Sequence, residues 1–175
     1  MELADLARIV DGARLSAFRL ETLPQYLVPQ EAAEFAAWRS GCPVELPTEQ
    51  TSPWLTHLAS RVSSGVRWYR VHVLDQPLSD YCRYEIWGYA ANQAAGEQIY
   101  LVDRDAHPDL RSLQEDFWLV DSVTAVRMIY DGEGRFERPE LVENVRPYVA
   151  MRETALSHAQ PLAEYVVSRG LDLTV

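Results

Sequence analysis

Two strand-like stretches separated by a segment of helical length constrain this chain more than any other feature. Val66–Leu74 reads VRWYRVHVL and Gln98–Asp103 reads QIYLVD, both β-branched and aromatic runs of strand length. Between them Pro77-Leu78-Ser79 opens the segment Asp80–Ala95, which fits either period. As a strand it sets Arg83, Glu85 and Trp87 together; as a helix it stacks Tyr81, Tyr84, Gly88 and Ala91. Its length and Ser79 as an N-cap favour the helix, ended at Gly96. A strand, helix, strand unit of this kind closes right-handed and parallel.

Around that unit the chain predicts shorter elements. A helix over Glu2–Val10 carries Leu3, Leu6, Ala7 and Val10 on one face, and Ala17–Leu23 alternates like a strand before Pro24. A second helix starts at Pro29 with Phe35 and Trp38 on one face, and Cys42–Ser52 reads as extended connector. Ser52-Pro53 then caps a third helix with a Trp54, Leu55, Leu58, Val62 stripe. Asp116–Val120 and Thr124–Tyr130 form a hairpin across Asp121-Ser122, with a last short strand at Arg135–Arg138. Residues 139 to about 169 read as helix, broken or kinked by Pro147 and Pro161 into two or three pieces. The expected fold is a single α/β (α+β) domain. Its mixed, mostly antiparallel sheet contains one parallel strand-helix-strand unit and is flanked by N- and C-terminal helices. The expected parts are an N-terminal helical cap with one strand (1–65), a sheet core (66–138) and C-terminal helices (139–175).

Composition excludes several chemistries. With 175 residues, 47% of them hydrophobic, the chain can bury a substantial core. All 16 basic residues are Arg; without Lys there is no Schiff-base lysine, phosphate-loop lysine or Ser/Lys dyad. A net charge of -10 repels phosphate backbones, so no direct nucleic-acid partner is expected, and an RNA-cleaving toxin is disfavoured. Cys42 and Cys82 stand far apart without a CxxC spacing and read as free thiols. Short apolar runs, with Glu2 and Asp5 where a signal peptide needs positive charge, lead us to expect a cytoplasmic protein without a membrane partner.

Phe18-Arg19-Leu20-Glu21-Thr22-Leu23, Pro77-Leu78-Ser79-Asp80-Tyr81 with Arg83, Tyr84 and Glu85, Ala95-Gly96-Glu97 and Phe117-Trp118-Leu119-Val120-Asp121 form one pattern. It resembles a family of GC-rich Gram-positive bacteria known as domain of unknown function 6879, over nearly the whole chain. The resemblance brings no activity. It implies a genetic context beside helix-turn-helix regulators, in two-gene or toxin-antitoxin-like arrangements. The order of elements also resembles one half of the phospholipase D-like fold. The strand that would carry that fold's His and Lys reads Asp116-Phe117-Trp118 instead, which points to a non-catalytic version.

The best site hypothesis joins Arg70 and His72, on one face of their strand with Trp68, to Arg83 and Glu85 at the C-terminal ends of the parallel strands. Two Arg suit a carboxylate or phosphate, and Trp68, Tyr69, Tyr81 or Trp87 can stack on a ring. The plainer reading is an internal Arg/Glu pair holding helix to sheet. Asp103, Asp105, His107 and Asp109 alternate like metal ligands, but Pro108 and the absence of a calcium-loop glycine and Glu favour a solvated connector, so no metal is expected. His57 and His158 have no partner at i+4.

The expectation is therefore a cofactor-free, non-catalytic binding or regulatory module. Its partner would be a helix-turn-helix regulator, whose basic surface suits this acidic chain, or a small anionic or aromatic ligand. The alternative is a small hydrolase or transferase with His72 or Glu85 as general acid or base and Arg70 and Arg83 holding an anion.

Overall fold

A computed structural model describes residues 1–171; positions 172–175 of the expected C-terminal segment lie outside it. The elements run α1 (Leu3–Asp11), β1 (Ser16–Glu21), α2 (Ala32–Arg39), α3 (Pro53–Ser63), β2 (Arg67–Leu74), α4 (Asp80–Ala94) and β3 (Gln98–Asp103). Two short 3-10 turns follow. The chain then forms β4 (Asp116–Val120), β5 (Thr124–Tyr130), β6 (Phe136–Leu141), α5 (Arg146–His158), β7 (Gln160–Pro161) and α6 (Leu162–Arg169).

All seven strands belong to one mixed sheet in the order β6-β5-β4-β1-β2-β3-β7. The pairs β1·β2 and β2·β3 are parallel; the other four are antiparallel. The expected β2-α4-β3 unit is present, and Ser79 caps α4 by accepting the Cys82 amide. Ser52 likewise caps α3, with Pro53 at the helix start. Although β1 lies within the segment read as an N-terminal cap, it pairs β2 on one side and β4 on the other, at the middle of the sheet.

Two expectations are corrected, and the first is that residues 139–141 are strand, because β6 continues until Leu141 pairs Val126. Pro139 is tolerated there because β6 is an edge strand. Second, Pro147 does not break α5. It sits in the first turn, where no intrahelical amide bond is lost. Pro161 separates α5 from α6 as expected. The Asp121-Ser122 turn takes left-handed φ values of 52° and 59°, and the Asp121 carboxylate accepts the amides of Arg14, Leu15 and Ser16. These bonds tie the hairpin to the start of β1 and hold the Asp121 carboxyl below its ordinary range.

The two faces of the sheet differ in chemistry. Phe18, Leu20, Tyr69, Val71, Val102, Phe117 and Leu119 form a dry layer against α5 through Tyr148 and Ala155. On the opposite face Ala17, Trp68 and Val120 pack against Leu6, Val10, Leu55 and Leu58 of α1 and α3. Leu74, Ile99 and Leu101 pack there against α4 and α6. Between these two apolar patches lies a band of buried charge.

Candidate functional site

Pairing register builds that band. Arg19 of β1 stands opposite Arg70 of β2, and Glu21 opposite His72, so the four side chains emerge on the face covered by α4. Asp116, at the start of β4, and Glu97, just before β3, extend the row on either side. Arg19, Glu21, Arg70, His72, Glu97 and Asp116 are all buried. Charges this deep persist only when paired and hydrogen-bonded.

The pairing is extensive. Arg70 donates through Nε and Nη2 to both Glu97 oxygens at 2.7 and 3.1 Å, and through Nη1 to Glu21 at 2.9 Å. Asn92 of α4 donates to Glu97 at 2.7 Å. Arg19 donates to Asp116 at 2.9 Å and to the Tyr130 hydroxyl at 3.0 Å. Asp116 also accepts the Thr22 amide and hydroxyl and the Tyr26 hydroxyl at 2.6–2.8 Å. Arg70 and Arg19 hold the Glu21 carboxyl down at about 2 despite burial. Burial outweighs these partners at Asp116 and raises its carboxyl.

His72 is sealed, with no exposed surface. Its Nε2 faces the Leu23 carbonyl at 3.3 Å and its Nδ1 the Tyr89 hydroxyl at 2.9 Å, while Tyr89 also reaches Glu21 at 3.1 Å. Burial lowers the affinity of the imidazole for a proton. In the neutral ring the Leu23 carbonyl selects the tautomer with hydrogen on Nε2. The Tyr89 hydroxyl then has one proton for two acceptors, Nδ1 and Glu21.

Beside the band opens a cleft of about 600 Å³. Glu21 and Arg70 lie at its floor; Tyr81, Tyr84, Glu85 and Trp87 of α4 form one wall, and Tyr26, Glu31 and Glu34 line the rim before and on α2. Aromatic packing fixes this wall: Tyr84 stacks on Trp87, and Phe35 and Trp38 of α2 pack edge-on or tilted against Tyr81 and Tyr84. Tyr81 donates to Glu31 at 3.0 Å and Tyr84 to Glu34 at 2.5 Å. The Tyr26 loop is held by Gly134, whose φ is +85° and whose carbonyl accepts the Leu27 amide at 2.9 Å; a Cβ at Gly134 would meet the Gln25 carbonyl oxygen at 2.3 Å.

Two groups of this network are left short: Arg19 Nη1 is buried without a hydrogen-bond partner, and so is Oε2 of Glu85. The Glu85 oxygen stands 3.7 Å from His72 Nδ1. Burial, reinforced by the nearby Glu21 charge, pushes the carboxyl well above its ordinary range.

The predicted site residues thus divide. Arg70, His72 and Glu85 come together, and Tyr81 lines the cleft. Arg83 does not join them: it lies on the exposed face of α4, so the expected pair of arginines is not formed. Trp68 shares the sheet face but is buried in an aromatic cluster with Trp54, His57 and Trp118. Arg19, Glu21, Glu97 and Asp116 join the band although sequence reasoning misses them as site residues. Alternation in β1 signalled a polar face but not its burial.

The suspected metal spacing also comes apart. Asp103 is buried and accepts from Gln76, Tyr165 and Arg169, while Asp105 pairs with Arg111. His107 stacks on His158 with centroids 4.0 Å apart, and these two with Asp109 have potential ligand atoms within 4.8 Å of one another, as do His72, Cys82 and Glu85. In the second trio the Cys82 thiol is pushed up to about 12 by burial, unlike a ready thiolate ligand or nucleophile. Among the described residues no helix is long and apolar enough to cross a membrane.

No curated protein matches the chain. The model of the family described as Domain of unknown function (DUF6879) matches residues 4–167, and the chain belongs to that family.

Proposed function

We propose that this protein is a non-catalytic binding and regulatory module that partners a helix-turn-helix regulator. The observation that carries the non-catalytic part is the internal bonding of His72, Arg70 and Cys82. His72 has no exposed surface and bonds Tyr89 and Leu23, Arg70 is bonded to Glu97 and Glu21, and the Cys82 thiol is held protonated. A general base needs reach to a substrate proton, and a nucleophile needs an activating partner. An acid or base role for His72 would require the cleft wall to open, so the enzyme reading rests on Glu85, which lines the cleft. The net charge of -10 supports a basic partner through long-range attraction, in keeping with the genetic context that the family resemblance implies.

The test is co-elution on size exclusion of the purified protein with a helix-turn-helix regulator from the same gene neighbourhood. A complex stable at low and moderate salt supports the reading. Separate elution at both counts against it, and hydrolysis or group transfer by the protein alone, abolished in Glu85→Gln or His72→Gln, would replace it with the enzyme reading.

A further inference from the structure

We propose that the cleft beside the charged band binds a small organic cation, a primary amine or guanidinium on an apolar stem, with Glu85 receiving the charged end. The proposal goes beyond partnership with a regulator and does not depend on it.

Three features favour a cation. Four carboxyl groups line the cleft, Glu21, Glu31, Glu34 and Glu85, against the single guanidinium of Arg70. That guanidinium already donates through Nε, Nη1 and Nη2 to Glu97 and Glu21, which leaves its charge answered from within the protein. An anion entering here would face four carboxyl groups and a guanidinium already engaged. Glu85, by contrast, lines the cleft with a side chain 14% exposed, and its Oε2, closed off beside His72, receives no hydrogen bond among the described residues. A carboxyl group this short of donors is costly, and an ammonium or guanidinium hydrogen meeting its exposed edge supplies one.

The walls favour a cation with an apolar stem. Eight aromatic rings line the cleft, with Tyr81, Tyr84, Trp87 and Tyr89 all carried by α4 beside Glu85. The negative faces of such rings attract cations, and they also bury a hydrocarbon or aromatic stem. A volume of about 600 Å³ falls in the range of small-molecule sites. Burial first, and then the neighbouring carboxylates, raise the Glu31 and Glu85 carboxyls, so a cation beside them would be welcome.

The experiment titrates the full chain with benzylamine, benzyl alcohol and benzoate, which share a ring and differ in charge, followed by amide NMR shifts. Benzylamine is expected to shift amides of α4 and the Glu21–Glu31 segment, with benzyl alcohol about tenfold weaker and benzoate inert. Glu85→Gln should weaken benzylamine about tenfold while leaving benzyl alcohol unchanged. Trp87→Leu, checked by circular dichroism, gives a second variant that should weaken both. Absence of benzylamine shifts, benzoate binding as tightly as benzylamine, or unchanged benzylamine affinity in Glu85→Gln would overturn the proposal.

Discussion

Arg70, in the middle of β2, and Glu97, the residue before β3, form a two-pronged ion pair of 2.7 and 3.1 Å across the parallel strands. The pair locks the start of β3 to the band, and Asn92 ties the same carboxylate to the end of α4. Replacing Glu97 by Ala leaves a buried guanidinium with only Glu21 and should cost about 3–5 kcal/mol in urea unfolding. Glu97→Gln keeps an acceptor and should cost less.

Glu21 and Glu85 titrate in opposite senses. The Glu21 carboxyl is lowered from 4.5 to about 2 by Arg70 and Arg19, so its contribution is present above pH 4.5 and is lost as pH falls towards 2. Glu21→Gln should therefore cost about 3 kcal/mol near neutrality, a gap that closes over that acid window. The Glu85 carboxyl is raised by burial and by Glu21, Glu31 and Asp116, with Arg70 opposing. Its protonated form fits the fold, so its contribution is full below 4.5 and declines as pH rises. Glu85→Gln should become progressively more stable than the parent from pH 4.5 upward in urea melts.

His72 should stay neutral where an exposed imidazole is largely charged. Burial lowers its proton affinity below the ordinary 6.5, so the fold favours the neutral ring and loses stability as pH falls below that value. Long-range proton–nitrogen NMR at pH 6 should show one protonated nitrogen, Nε2. Two protonated nitrogens would mean that the Glu21 charge outweighs burial.

Gly134→Ala should disturb the cleft from a distance. The added methyl enters the Gln25 carbonyl at a left-handed φ of +85°, so the turn and the Tyr26 loop must separate. The expected loss is about 1–3 kcal/mol, with faster hydrogen exchange at Leu27, whose amide bonds the Gly134 carbonyl. Normal protection at Leu27 would show that the loop is held elsewhere.

Local signals carried much of the fold. Ser79 and Ser52 marked helix starts, Gly96 marked an end, and the alternation of β2 placed Arg70 and His72 on one face. What failed were features set by distant pairing. β6 reaches Leu141 only because β5 offers Val126, and nothing local in Pro139-Glu140-Leu141 announces a strand. Arg19 and Asp116 are 97 residues apart, and their burial depends on helices covering a face that looks solvent-ready in β1 alone. Arg83 shows the converse: proximity to Glu85 in sequence says little, because residues two apart on a helix point in different directions.

The central claim, a binding module rather than an enzyme, is tested most directly by calorimetric titration of a helix-turn-helix regulator from the same gene neighbourhood into the protein over a salt series. The account predicts saturable binding that weakens as salt rises. No binding at low salt would contradict it.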